Sequence, residues 1–287
     1  MRFDQPLPIA DWVSQGVGAV TDHYAKAFDT FSNAVQHLIG GLQGALLWFP
    51  PAAFIALVVV VVLLAHGPRR VGSWTLGVFA AVGLALVWNL GYWDAMVQTL
   101  ALVLAAELLV LIVGLPLGIA SANSRVLDRM LRPVLDVMQT MPAFVYLVPA
   151  VIFFGLGLVP GVISTTIFAL PPLVRLTALG VRQVPRELVE ATQSFGATGW
   201  QLLVKVQLPS ARPSIMAGIN QSIMLGLSMV VIAAMIGAGG LGNVVLQGIT
   251  QLDIGRGFVG GLCVVILAIL LDRVTQALGQ NHKEKQR

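Results

Sequence analysis

Few of the 287 side chains carry groups that could do covalent chemistry, and their spacing leaves little chemistry open to them. His23, His37, His66 and His282 lie far apart, and the single cysteine, Cys263, sits in the apolar run Gly261-Leu-Cys-Val-Val, so no metal-ligand cluster and no nucleophile with a base can be drawn. Gly237-Ala-Gly-Gly-Leu-Gly242 spells GxGxxG, but it follows a long apolar run instead of a strand, and no acid lies about 20 residues on, which removes a dinucleotide reading. No Gly-Lys-Ser/Thr sequence occurs, so the chain has no phosphate-cradling loop for ATP. Two kinds of polar residue remain. One is Glu107, a lone carboxylate in an apolar segment, with Gln139, Thr140, Asn220, Gln221 and Ser222 in similar settings. The other is a charged connection from Arg175 to Arg212.

The elements that hold these residues follow from composition. The chain is 57% hydrophobic and 10% charged, against about 25% charged in an ordinary soluble domain, and its mean hydropathy is +0.86. A soluble enzyme is excluded. Uncharged stretches longer than the roughly 20 residues that cross a bilayer as helix predict an all-α polytopic membrane protein with about seven transmembrane helices. A β-barrel would alternate apolar and polar residues, and this chain does not. The spans are placed at Ala45–Ala65, Val71–Trp93, Asp94–Ala120, two within Val137–Val174 divided at Gly155–Gly161, Ser214–Ile236, and Ile254–Leu271.

With seven crossings, 14 of the 17 basic residues fall on one side: Arg69, Arg70, Arg125, Arg129, Arg132, Arg175, Arg182, Arg186, Lys205, Arg212, Arg273, Lys283, Lys285 and Arg287. The positive-inside rule then puts the N-terminus outside and the C-terminus in the cytoplasm. The pI of about 9.6 is a record of topology and no footprint of nucleic acid. Residues 1–41 read as an extracytoplasmic tail of one or two amphipathic helices, with Trp12, Val17, Val20, Tyr24, Phe28, Phe31 and Val35 at helical spacing and no cleavable signal pattern. Residues 42–93 hold two accessory spans, 94–275 a core containing the loop 183–212, and 276–287 a cytoplasmic tail.

That loop has its own local logic. Pro185 suits a first helical turn, Leu188, Ala191 and Phe195 share a face, and Gly196 closes the helix. Thr198 with Gln201 forms a capping box for a second short helix that stops before Pro209. The result is a helix-turn-helix at the membrane surface, either a ridge offered to a cytoplasmic partner or a self-contained loop.

Glu190-Ala-Thr, three residues, Gly196, nine residues, then Val206-Gln-Leu-Pro209 resembles the EAA loop of ABC importer permeases, with Thr192 and Val206 as conservative departures. The resemblance extends from about residue 100 to 270. Met138–Leu147, Glu190–Ala197 and Ile219–Val231, running into the glycine cluster, are most similar to the glycine betaine/proline betaine and choline uptake branch. It implies a type I importer permease core that forms the translocation path for a compatible solute. The implied partners are cytoplasmic ABC ATPase subunits, an extracytoplasmic substrate-binding protein, a second permease copy and membrane lipid. ATP and Mg would reside on the ATPase, so this chain would be a transport subunit of the bacterial inner membrane with no cofactor or metal of its own.

Carried onto these positions, the resemblance makes residues 185–195 the coupling helix, with Glu187, Glu190, Ala191, Gly196, Leu208 and Pro209 as its functional residues. Gly237, Gly239, Gly240 and Gly242 become a candidate gate or hinge, against a plain loop. Glu107, Gln139, Tyr146, Asn220 and Ser222 are candidates for the path. Glu107 could equally be protonated or hydrogen-bonded to a neighbouring span, and Gln139, Asn220 and Ser222 could bond between helices. Phe144, Tyr146, Phe153 and Phe154 could cage a quaternary ammonium or simply pack. The rivals are a same-fold permease for choline, carnitine or an amino acid, an ion-coupled secondary carrier resting on Glu107 alone, and a membrane-embedded enzyme, for which no constellation exists.

Overall fold

The computed structural model describes residues 9–66 and 71–280. Arg2, Asp4, Arg69, Arg70, His282, Lys283, Lys285 and Arg287 lie outside them. Among the described residues the chain is entirely helical, and α1 is Ile9–Leu47, α2 Pro51–His66, α3 Val71–Asn89 and α4 Trp93–Asn123. Next come α5 Arg125–Thr140, α6 Ala143–Phe154, α7 Leu158–Arg182, α8 Arg186–Ser194 and α9 Gly199–Leu202. A π-helical turn, Leu203–Gln207, leads into α10 Leu208–Ala234, followed by α11 Gly240–Thr250 and α12 Ile254–Gln280. Four of these helices are long and apolar enough to cross a bilayer, or six spans if each of two bent pairs counts as one. This agrees with a polytopic all-α fold, while the count of seven is approximate.

The centre is a three-helix contact of α4, α7 and α10, and small residues bring it close. A side chain on Gly118 would strike Thr177 Cβ at 2.6 Å, and one on Gly218 would lie 3.1 Å from the Leu173 backbone. Gly114 meets Leu170 and Leu173 in the same crossing. The small-xxx-small pair of α4 therefore packs inside the subunit. Gly257 on α12 packs on Gly248 of α11, whereas Gly261 faces open space. Around this centre, α2 and α3 sit outside α12, with Gly83 against Ile266, and Phe54 meets Trp93 edge-on at 5.5 Å.

The N-terminal helix is longer than the sequence predicts. It runs through Ala45, bends at Tyr24 (φ −108°, ψ 16°), and the first apolar span begins at Pro51 after a 95° turn. The Pro50-Pro51 pair explains the turn, since a residue preceding proline is driven out of the helical region and proline suits a first helical position. Val35 and Ile39 of α1 are buried in the core, and Phe28 stacks on Phe153 with ring centres 5.0 Å apart.

The predicted fourth span is also revised. Arg125 to Thr140 is a separate helix, started by Ser124, whose hydroxyl accepts from the Leu127 N–H at 3.3 Å, and ended where Met141 precedes Pro142. A 102° bend then leads into α6, whose 12 residues reach about 18 Å at 1.5 Å per residue, short of the ~30 Å hydrocarbon core.

Candidate functional site

At one end of the bundle, Pro185 is the N-cap of α8 and its carbonyl accepts from the Leu188 and Val189 N–H groups. Glu187 lies in the first turn, where its charge opposes the positive end of the helix dipole. The helix ends in a complete Schellman turn: the Gly196 N–H donates to Gln193 O at 2.9 Å and the Ala197 N–H to Thr192 O at 3.3 Å, with Gly196 at φ +80°. Two residues later the capping box forms in both directions, with the Gln201 N–H donating to Thr198 Oγ1 and the Thr198 N–H to Gln201 Oε1. Little slack is left between α8 and α9.

Beyond α9 the sequence expectation fails in an informative way. The helix does not stop before Pro209. It widens into the π turn, in which the Leu208 N–H donates to Leu203 O, and continues as α10. Proline inside an α-helix clashes with the carbonyl four residues back, and the wider turn relieves that clash. Leu208 and Pro209 thus sit at the joint of one rod running from Gly199 to Ala234. No residue of α8 is buried: Glu190 and Ala191 are exposed, and Leu188 and Phe195 present apolar surface to the outside, Phe195 at 93% exposure. Glu190 also borders a cleft of about 380 Å³ shared with Asn123, Arg182, Arg186, Gln193 and Gln207.

The root of this loop carries an ion-pair cluster that sequence reading missed, because its members are 54 residues apart. Arg182, at the end of α7, contacts Asp128 Oδ1 at 2.8 Å and donates to Ser121 O at 2.6 Å, while Arg132 contacts Asp128 Oδ2 at 2.8 Å and the Ser121 hydroxyl donates to Oδ1. Arg175 pairs with Asp136 nearby. The Arg182 guanidinium, helped by Ser121 and Arg132, holds the Asp128 carboxyl down at about 2. This cluster ties α4, α5 and α7 together one turn before α8.

Within the membrane, the polar residues mostly bond to one another. Glu107 on α4 is buried, and the Ser222 hydroxyl of α10 lies 2.7 Å from Oε1 and 2.8 Å from Oε2. Asn220 turns to α12, where its amide donates to Asp272 Oδ1 at 2.8 Å and its carbonyl accepts from Thr275 at 2.8 Å. Tyr146 is buried with its hydroxyl on Met138 O, while Gln139 is exposed at the α5–α6 elbow. Phe153 and Phe154 pack on Phe28 and Phe31 of α1 and form no cage.

At the opposite end the two glycine breaks meet. The Gly157 N–H donates to Ile236 O at 2.8 Å, and a side chain on Gly161 would strike Ala238 Cβ at 2.8 Å. Gly237, Gly239 and Gly240 all have positive φ, and Gly242 lies against the Val230 carbonyl with no room for a Cβ. The N-terminus of α11 that they create is capped from α4: the Gly240 N–H donates to Gln98 Oε1 at 2.9 Å and the Leu241 N–H to Thr99 Oγ1 at 2.8 Å. Gln98 and Thr99 gave no signal in the sequence, being two ordinary polar residues near the start of a span.

Comparison with known proteins sets this arrangement in context. Residues 114–283 match the family described as binding-protein-dependent transport system inner membrane component. The chain is 51% identical to the glycine betaine/carnitine transport permease protein of Listeria monocytogenes, over 97% of this chain and 98% of that protein. It is 50% identical to the glycine betaine/proline betaine transport system permease protein of Escherichia coli, over 97% and 77%. Identity to the glycine betaine transport system permease protein of Bacillus subtilis is 45%, over 97% of each chain. In fold it is similar to a chain of an inward-facing methionine ABC transporter, with TM-score 0.58, 23% identity, and coverage of 68% of this chain and 96% of that one.

Proposed function

The chain belongs to the binding-protein-dependent transport system inner membrane component family, as a multi-pass inner-membrane permease of ABC importers, and from that premise we propose that it imports glycine betaine or proline betaine. The observation that carries the substrate is the near full-length identity to permeases named for these betaines. In this reading the chain works as a pair, with two cytoplasmic ATPase subunits that bind ATP and Mg and with an extracytoplasmic binding protein that delivers the solute. The N-terminus is outside and the C-terminus cytoplasmic, in keeping with the distribution of basic residues.

The coupling step follows from the loop. The exposed α8, presenting Leu188, Glu190, Ala191 and Phe195, docks on the ATPase, and closure of the ATPase pair displaces it. The Schellman turn and capping box carry that displacement into the continuous α9–α10 rod, and the Arg182 cluster carries it into α4, α5 and α7. A shift of the whole assembly requires that α8 contact the ATP-bound and free ATPase differently. Glycines 237, 239, 240 and 242 would act as the outer hinge, because the helix is already broken there.

The test is uptake by the reconstituted complex of permease, ATPase and binding protein in proteoliposomes. Labelled glycine betaine is expected to accumulate only with internal ATP, and unlabelled proline betaine to compete better than choline, carnitine or an amino acid. Accumulation driven by an ion gradient without ATP would contradict the reading, and preferential competition by carnitine or choline would reassign the substrate.

A further inference from the structure

Asn220, Gln221 and Ser222 lie side by side on α10 but meet different fates. Asn220 is bonded to α12 and Ser222 to Glu107 on α4, while Gln221 is exposed and takes no hydrogen-bond partner among the described residues. The residues that share its side of α10 are Ala217, Met224 and Ser228, also exposed, so that 217, 221, 224 and 228 follow the i, i+4, i+7 and i+11 spacing of a single helix face. The outer face of α3 looks different at comparable depth: over Val78, Val82 and Leu86 it exposes hydrocarbon side chains alone. Glu107, beside Ser222, lies fourteen residues into α4 from Trp93, or about 21 Å down the helix. Gln221 is therefore deep in the hydrocarbon layer, where an amide facing lipid would find neither water nor protein to pair with.

We infer that the Gln221–Met224–Ser228 line of α10 is the wall of the solute path, and that it takes a small zwitterion bearing a quaternary ammonium. The wall is neutral, because Glu107 is turned away and engaged by Ser222. A net-neutral zwitterion needs no counter-charge there. The Gln221 amide can donate to its carboxylate, and the soft Met224 thioether suits a weakly hydrated ammonium without trapping it. Ser228 already donates to Met224 O at 3.0 Å, which leaves its oxygen as an acceptor toward the path. The inference rests on the transport reading above and adds to it which residues the solute meets.

The experiment uses the full complex in proteoliposomes, with Cys263, buried in α12, replaced by alanine so that no native thiol remains in this chain, and labelling is read on the permease band alone. Single cysteines are placed at Gln221, Met224 and Ser228, with Val82→Cys as the lipid-facing control. The probe is 2-(trimethylammonium)ethyl methanethiosulfonate, which is membrane-impermeant and carries a quaternary ammonium. Labelling at the three path positions is expected to be at least roughly tenfold faster than at the control, and to slow when glycine betaine is present. Labelling no faster than the control, in a complex that still takes up betaine, would assign the stripe to lipid and overturn the inference while leaving the transport reading intact. Oxidative cross-linking of Gln221→Cys between two copies without labelling would make the stripe a dry seam and overturn it equally. Failure of the native complex to accumulate betaine would strike the transport reading itself.

Discussion

Three consecutive polar residues on a helix fan across about 200°, so Asn220, Gln221 and Ser222 were bound to meet different surroundings. Sequence alone shows that each needs a partner at membrane depth, but not which arc of α10 faces α4, which faces α12 and which faces neither. Removing the Ser222 hydroxyl leaves the buried Glu107 carboxyl without the hydrogen bond it accepts from α10, and Ser222→Ala is expected to cost about 1 to 3 kcal/mol of stability, read as a lower melting temperature of the purified protein. Glu107→Gln keeps an acceptor and a similar volume, so uptake and assembly are expected to persist; their loss would show that the carboxylate itself faces the solute. At the root of the α8 loop, Asp128 is held at about 2 against the usual 3.8, so the folded protein binds fewer protons there than the unfolded one. Its contribution is full above about pH 4 and is lost as pH falls toward 2. The melting temperature is expected to fall across that window in the native chain and to fall less in Asp128→Asn.

Among the elements, the α8–α9 loop was the most legible. Pro185, Gly196, Thr198 and Gln201 are local signals with local mechanisms, and the Schellman turn and capping box form at those positions. The joint at Pro209 was not legible, because proline reads as a stop unless the preceding turn widens, and nothing in Leu203–Gln207 announces a π turn. The elbow at Met141-Pro142 was hidden for a related reason: the uncharged run from Val137 masks a change from interfacial to membrane helix. Gly196 at φ +80° makes Gly196→Ala cost about 1 kcal/mol by strain alone, with weaker ATPase association expected in pull-down assays. At the glycine junction, Gly242→Ala drives a methyl into the Val230 carbonyl and is expected to cost about 1 to 3 kcal/mol with loss of uptake; unchanged stability would show that the α10–α11 junction can open freely.

For the whole molecule, composition was enough to establish a polytopic helical membrane protein, and one spaced motif was enough to suggest its family. What the sequence could not show was how distant parts meet. Two glycine breaks some eighty residues apart, Gly155–Gly161 and Gly237–Gly242, join at one end of the bundle, and Arg182 joins Asp128 at the other. Such pairings depend on helix order and crossing, which hydropathy does not encode. They leave a bundle in which the glycine junction at one end and the exposed α8 at the other are linked by continuous helices, as the proposed transmission from α8 requires. The most direct test is ATP-dependent betaine uptake by the full complex with native permease or with Glu190→Lys combined with Gly196→Pro, scored beside co-purification of the ATPase and membrane abundance of the permease. Loss of both uptake and ATPase association at native abundance is the expected result. Undiminished ATP-dependent uptake by the double variant would contradict transmission through α8.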